Sequence, residues 1–417
     1  MEILSIGEKI KRARVYKGYT LKDICSNKIS VSKMSCIENN KIKPENSIIE
    51  YVAQKLDVKA EYLKQDVKDQ LLNNLSVLKE EKETPDYEEK LEYNLGYAEE
   101  YKYYDVAFNI MHLLITYYFE KEQIEKLQLN TSKYYEISQK SNMEENLCTY
   151  YMDVGRYFFL SKEYDEAANY YNNVRKIARG KDDYKLLARA TYNETACNFM
   201  LEKYERAYEI GVHLTDFIEY FETDIKKADA YHILALLALR RDKGKFDFYE
   251  KCADELFKDN YCKKASAAYN YAVFMFKEGL NEKGEIYIKK GLKLYPKDNK
   301  ENLVRFMLMN VEALVETDLI DTAQCVCSEA LDYAITLDDN KYIEKAYYFK
   351  AVILEKTDNF YSAETYMNLS LDSLLKAGTK PDICKRYTEM GNMYYKMGQT
   401  AESIKYFNLA IDLKNKM

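Results

Sequence analysis

Proline and glycine are scarce in this chain, 4 and 13 among 417 residues. So few breakers make long helices the default and argue against an all-β chain or one built on a parallel sheet. Tryptophan is absent, and the three histidines, His112, His213 and His232, stand far apart, so no His-based triad or zinc site is expected. No run of about 18 apolar residues occurs, and the N-terminus lacks a charged segment followed by an apolar core. These absences predict a cytoplasmic protein with no membrane contact. Nine cysteines occur, none spaced as CxxC, and Cys325 and Cys327 share a helical pattern. An odd count with no zinc-like spacing predicts reduced, mostly buried thiols. No phosphate-cradling glycine loop and no nucleophile elbow is present, and the carboxylate pairs Glu99-Glu100 and Asp182-Asp183 belong to solvated faces. No catalytic residue, metal ligand or cofactor is therefore assigned, and the chain reads as a non-enzyme.

What is present is ordinary in bulk and uneven in distribution. Hydrophobic residues make up 47% and charged residues 31% of the chain, and this length exceeds what one core organises. Residues 1–59 hold 12 Lys and Arg against 7 Asp and Glu, while the remainder holds 50 against 62. A basic head suits a polyanion that an acidic body would repel.

The head reads as a set of short helices. Ile3, Ile6, Ile10 and Ala13 recur at helical spacing, and the helix they define ends near Gly18. Thr20 opens TLKD, a capping-box-like start for a second helix with Leu21 and Ile24 inward. Ser30 caps a third helix with Met34 and Ile37 inward and Val31, Ser32, Lys33, Ser35 and Cys36 outward or lateral. Asn39-Asn40 tolerates the left-handed backbone that closes a helix. A fourth helix follows Pro44, with Ile48, Ile49, Val52, Ala53 and Leu56 as its stripe. Small polar residues and a lysine on an exposed face form the build of a DNA-recognition helix.

Residues 6–58, through IGEKIKRARVYKGYTLKDI and SVSKMSCIENNKIKP, resemble the helix-turn-helix domain of the Xre, Cro and phage-repressor class. The resemblance implies that the third helix enters the major groove of double-stranded DNA. Val31, Ser32 and Cys36 then fall at base-reading places, with Lys33 on the same outer face. Ser30, Lys41 and Lys43 fall at phosphate-contacting places, and Arg14 and Glu38 match an internal ion pair. Two departures stand out: Asn40 replaces the usual glycine, and the segment between the second and third helices is one residue short, leaving the register of Asn27 and Lys28 open. The base-reading side chains are too small for strong bidentate pairs, so DNA shape carries part of the selectivity.

An amphipathic helix over 66–83, with Leu71, Leu72, Leu75 and Leu78, joins head to body and ends at Thr84-Pro85. From about residue 91 a 40-residue repeat follows. Its clearest unit is the last: Tyr387, Met390, Gly391, Tyr394, Ser403, Phe407 and Ala410, a tetratricopeptide pattern. Earlier units carry Tyr347, Ala351, Ala363 and Met367; Met307, Val311, Ala323 and Ala330; Ala272, Gly284, Ile288 and Pro296; Ala235; Thr195 and Ala207; Gly155, Ala167, Tyr171 and Val174; and Gly96 with Ala107. Residues 115–145 are helical but have no assigned phase. The fold class is all-α, with an N-terminal helix-turn-helix domain (1–62), a linker helix (63–90) and a repeat superhelix (91–417) that senses and dimerises. Helices run about a turn longer than in 34-residue repeats, and the first helix of each pair lines a concave face.

Such a face holds an extended peptide or a partner helix. Tyr192-Asn193 and Tyr269-Asn270 share one phase and Asn310 sits one place along. A carboxamide can hold a peptide backbone from both directions. Tyr151, Arg156, Asn198 and Lys277 are weaker candidates, and bonding between helices is the structural alternative for the asparagines. Head, linker and repeats together resemble the peptide-responsive regulators of Gram-positive bacteria, the family of Rap, Rgg, NprR, PlcR and PrgX. That resemblance implies a homodimeric quorum-sensing transcription regulator controlled by a short signalling peptide, with sporulation, toxin and motility genes as targets. The other reading is a Rap-like inhibitor that grips a response regulator or phosphorelay protein through its repeats.

Overall fold

The computed structural model describes residues 2–26 and 28–416, and among these the regular structure is entirely helical. The register of Asn27 lies outside the described residues. Two compact units are present, Met1–Ile210 and Gly211–Met417.

The first unit begins with five short helices: α1 (Ile6–Tyr16), α2 (Leu21–Cys25), α3 (Val31–Glu38), α4 (Asn46–Leu56) and α5 (Ala60–Lys64). Capping boxes at Ser5/Glu8 and Thr20/Asp23 start α1 and α2, satisfying backbone amides that a helix start leaves unpaired. Asn40 takes the left-handed backbone at φ 57° beyond α3. The expected stripe of α4 is buried in full, and it packs with Ile10, Ile24, Met34, Ile37 and Leu63 into one small core. Ile3 departs from expectation. It precedes the helix and packs into the core of the repeat body.

The rest of this unit is a row of α6 (Val67–Glu80), α7 (Tyr87–Glu100), α8 (Tyr104–Glu120), α9 (Ile124–Lys140), α10 (Glu144–Leu160), α11 (Tyr164–Gly180), α12 (Tyr184–Met200) and α13 (Tyr204–Gly211). On α6, Val67, Leu71, Leu75 and Leu78 are buried while Leu72 is 44% exposed, because it lies one residue off the stripe. From α8 to α13 each helix starts 20 residues after the last. Each step has the same ending: a residue in the left-handed region, at Lys102, Glu122, Asn142, Lys162, Asp182 and Glu202. The next amide then bonds a carbonyl five residues back, as in Glu163 N to Phe158 O and Lys203 N to Asn198 O.

This period phases residues 115–145. Ile115 on α8 and Leu127 on α9 stand 40 residues before Gly155 and Ala167, and both are buried. Helices α8 and α9 thus occupy the same steps as α10 and α11. Gly96 does not serve as a close-packing residue, since a Cβ there would meet nothing within 4 Å.

The second unit holds α14 (Leu214–Phe217), a 3-10 turn (Ile218–Tyr220), α15 (Asp224–Arg241), α16 (Lys243–Phe257), α17 (Tyr261–Lys277), α18 (Asn281–Leu294), α19 (Lys300–Glu316), α20 (Ile320–Leu337), α21 (Asn340–Lys356), α22 (Phe360–Ala377), α23 (Lys380–Lys396) and α24 (Thr400–Lys414). The strict period of 40 returns at Lys300, Asn340 and Lys380, whereas the steps into α17 and α19 are shorter. Glycine lets helices approach at three hairpins: a Cβ would lie 2.8 Å from the Tyr171 ring at Gly155, 2.3 Å from Phe276 at Gly284 and 2.7 Å from Phe407 at Gly391. Between repeats, a later cation reaches back to an earlier acid, as in Lys126–Glu88 and Lys203–Asp165 in the first unit and Lys290–Glu250 and Lys396–Glu355 in the second, each at 2.6 Å. Surface pairs of this kind contribute about 0–1 kcal/mol each.

The thiols differ from expectation in part. Cys25, Cys148, Cys197 and Cys327 are buried, Cys36, Cys252 and Cys384 are half-buried, and Cys262 and Cys325 are exposed, all free. No described helix is long and apolar enough to cross a membrane.

Two substitutions test this packing in denaturant unfolding. Lys162→Gly relieves a left-handed lysine at φ 63° and should stabilise by about 0.5–1 kcal/mol. Gly155→Val drives a side chain into the Tyr171 ring and should cost about 1–3 kcal/mol.

Candidate functional site

Helix α3 is held on its inner side and open on its outer side. Met34, Ile37 and Glu38 are buried. The Arg14 guanidinium forms a two-pronged pair with Glu38, Nε to Oε1 at 2.7 Å and Nη2 to Oε2 at 2.8 Å, and donates a further bond to Tyr19 O at 2.9 Å. The pair expected between the first and third helices is present. At Gly7 the backbones of α1 and α3 meet: a Cβ would lie 2.2 Å from Ile37 O. A glycine and a forked ion pair thus set the seat of α3.

On the open side, the Ser30 hydroxyl accepts from Lys33 N at 3.1 Å and starts the helix. Val31 is 40% exposed. Ser32 is also exposed, while Lys33 and Cys36 are half-buried. Lys33 Nζ lies 3.3 Å from Glu45, so that cation is partly engaged. Lys41 and Lys43 are exposed on the following turn. Two further cations of the head are exposed. Lys22 is exposed, and exposed Lys28 lies over the Tyr51 ring at 5.0 Å; the sequence pattern marked neither as a contact.

The head is sewn to the body through its first residues. Gln70 on α6 holds Leu4 on both sides, accepting from its N–H at 3.2 Å and donating to its carbonyl at 2.8 Å. The Tyr93 hydroxyl accepts from Ile3 N at 3.2 Å. Lys9 is 2% exposed. It donates to Tyr62 O at 2.8 Å and Gln65 O at 2.9 Å, at the end of α5. Burial pushes its pKa below the ordinary lysine value, while Asp66 and Asp69 oppose the shift.

The residues expected to contact a peptide have separate fates. In the first unit, Asn193 is half-buried, as is Tyr192 beside it. Among the described residues, no hydrogen-bond partner meets the Asn193 carboxamide. Asn198 is turned to its own helix, donating to Glu194 O at 2.8 Å. Arg156 lies over the Phe119 ring at 4.3 Å. Tyr151 packs between Tyr150 and Tyr170, each ring centre 5.7 Å away, and lines a cleft between α9 and α11.

In the second unit, Asn310 is fully buried and donates to Phe306 O at 2.7 Å, so it serves the core and offers no peptide contact. Asn270 is exposed, yet its amide lies 3.3 Å from His232 Nε2 on α15. This matches the alternative of a bond between helices. Tyr269 is half-buried against Phe306. Desolvation, aided by Lys263, pushes His232 down to about 4, so it is neutral at pH 7.

Periodicity did not reveal the buried ion pairs. Arg175 Nε meets Glu194 at 2.7 Å, and Arg386, stacked 3.7 Å from the Tyr348 ring, meets Glu344 at 2.8 Å. Charged residues on an otherwise apolar helix side were the available signal.

Loss of Arg14 strands a buried carboxylate, so Arg14→Met should cost about 3–5 kcal/mol in the head, read by head-specific amide exchange. His232 binds its proton less readily folded than unfolded. Stability should therefore fall as pH drops from 6.5 toward about 4. His232→Gln should flatten that part of a stability-against-pH curve.

Residues 385–417 match the tetratricopeptide repeat family. No curated protein matches the chain. Among solved structures, the chain is similar to the apo quorum sensor NprR from B. thuringiensis, at 16% identity over 83% of this chain and 97% of that one, with a TM-score of 0.48. It is similar also to aspartyl phosphate phosphatase F from Bacillus subtilis, at 12% identity over 99% and 96%, TM-score 0.40. A third is PlcR from Bacillus thuringiensis in complex with the peptide PapR7 and DNA, at 14% over 89% and 97%, TM-score 0.28. The described residues are all-helical, and residues 385–417 form a tetratricopeptide repeat.

Proposed function

We infer that this protein is a peptide-controlled transcription regulator that reads double-stranded DNA with α3. The observation that carries this reading is the contrast between the two sides of α3. One is clamped by Arg14–Glu38 and the Gly7 contact, and the other leaves Val31 and Ser32 exposed beside the lysines of the following turn. Ser32, Val31 and Cys36 face base edges in this reading. Ser30, Lys41 and Lys43 face phosphates, and Lys33 leaves Glu45 to join them. One head offers too small a surface for tight operator binding, so two copies bind neighbouring half-sites as a homodimer. A short peptide binds to the first helices of the repeats. Asn193 with Tyr192 is the contact supported in the first unit by a free carboxamide; in the second unit Tyr269 stands at the corresponding place, while Asn270 beside it is bonded to His232. Sporulation, toxin and motility genes are the targets implied by the sequence resemblance.

The test is genome-wide mapping of the purified protein on its own fragmented genomic DNA. Removing the whole head would also pull Ile3 out of the body core, so point substitutions are the cleaner instrument. Discrete paired half-sites should appear with the native chain and vanish with Ser32→Ala and Lys33→Ala combined. Each of Lys41→Ala and Lys43→Ala should lower the slope of log affinity against log salt by about 1 per head. Sequence-blind binding that the four substitutions leave intact would overturn the reading and favour capture of a response regulator by the repeats. Asn193→Ala should weaken the signalling peptide by roughly tenfold without altering thermal unfolding, as expected for loss of a paired carboxamide.

A further inference from the structure

The first unit carries a second built feature, away from the first-helix residues just discussed. A cleft of about 490 Å³ opens between α9 and α11 with α10 beneath it. Tyr150 and Tyr151 of α10 make its floor, Tyr150 being 4% exposed, and Tyr135 of α9 stands at the rim, 48% exposed. The rings form a continuous wall: Tyr135 to Tyr150 at 5.5 Å, Tyr150 to Tyr151 at 5.7 Å and Tyr151 to Tyr170 at 5.7 Å between centres.

The opposite wall is one side of α11, where Glu166, Asn169, Tyr170 and Asn173 recur at helical spacing. Among the described residues, the Glu166 carboxylate and the Asn169 and Asn173 carboxamides have no hydrogen-bond or ion-pair partner. None of the lining residues is basic. On α9 and α10, Lys133 pairs with Glu99 at 2.7 Å and Arg156 lies over Phe119 at 4.3 Å, while exposed Lys162 and Lys176 stand beyond the two ends of the α11 wall.

Tyrosine faces present negative charge to a cation, and a single unpaired carboxylate adds a directed partner. A guanidinium satisfies both, because its plane stacks on a ring while its edge donates a forked pair to a carboxylate. From position 166 to 173 the helix rises about 10 Å, the length of roughly three extended residues. Two carboxamides along that distance can accept from and donate to a peptide backbone.

We propose that this cleft binds an arginine side chain of an extended polypeptide, with the guanidinium between Glu166 and the Tyr151/Tyr170 rings and the flanking backbone on Asn169 and Asn173. It is a docking site for an arginine-bearing partner segment, independent of the DNA-reading and signalling-peptide roles.

The experiment titrates the full chain with the blocked tripeptide Gly-Arg-Gly, its Gly-citrulline-Gly counterpart and arginine amide alone, followed by saturation-transfer NMR. Citrulline keeps the shape and removes the charge. The arginine tripeptide should bind at least about tenfold tighter than the citrulline one, as a charge-assisted forked pair requires, and more tightly than arginine amide. Glu166→Gln should erase the arginine preference. Glu163→Gln, three residues away, should leave it intact. Tyr151→Leu should weaken the arginine tripeptide about fivefold while Tyr151→Phe retains it, since the ring face and not the hydroxyl is used. Equal binding of the arginine and citrulline tripeptides would overturn the proposal. So would equal effects of Glu166→Gln and Glu163→Gln, which mark unspecific attraction to an acidic surface. Binding of arginine amide as tight as the tripeptide would overturn the backbone part of the assignment.

Discussion

The helices of the repeat body depend on one constraint: each can bury its apolar sides only against its neighbours. The cores follow the row of helices, one running from Ile3 and α6 through α10 and others farther along the chain. The 20-residue step in the first unit repeats from α8 to α13, and each step closes on a residue in the left-handed region. Lysine and glutamate pay for that conformation at Lys102, Glu122, Lys162 and Glu202, where glycine would be easier. Stability is accordingly a sum of nearest-neighbour terms. Small residues matter where ring and backbone meet, as at Gly155 under Tyr171, and are idle where they do not, as at Gly96.

The head obeys the same economy on a smaller scale. Its core is modest, and α3 owes its place to two polar or steric devices, the Arg14–Glu38 fork and the contact at Gly7. The head is also not loosely tethered. Ile3 is part of the body core, Gln70 pairs both polar groups of Leu4, and Lys9 closes α5 through two carbonyls. Those bonds place the start of α1 directly on α6 and α7, so the seat of α3 is continuous with the first helices of the body.

Polar side chains divide by whether their partners lie inside the same repeat. Asn198 and Asn310 spend their amides on carbonyls four residues back, and Asn270 on a neutral histidine. Asn193, Asn169, Asn173 and Glu166 have no such partner among the described residues. That difference, more than residue type, separates side chains committed to packing from those left open to a ligand.

Much of this architecture was legible in the amino-acid order. Scarce breakers and periodic apolar residues determined an all-helical chain. Thr20, Ser30 and Asn39-Asn40 marked helix boundaries, and the last repeat declared itself through Gly391, Tyr394 and Ala410. These are local effects, set by hydrogen-bond capping and by the 3.6-residue period. The segment 115–145 resisted because Ile115 and Leu127 stand where small residues mark the other repeats, so no composition signal betrayed the phase. What only tertiary structure decided was the partner of each side chain. Ile3 fits the stripe of α1 by spacing yet packs elsewhere, and Asn310 and Asn270 look alike in sequence while one is buried and the other bonded to His232. The tyrosine cleft joins three helices whose residues lie nearly 40 positions apart. Helix periodicity specifies which side a residue is on, but only the neighbouring helix determines what that side meets.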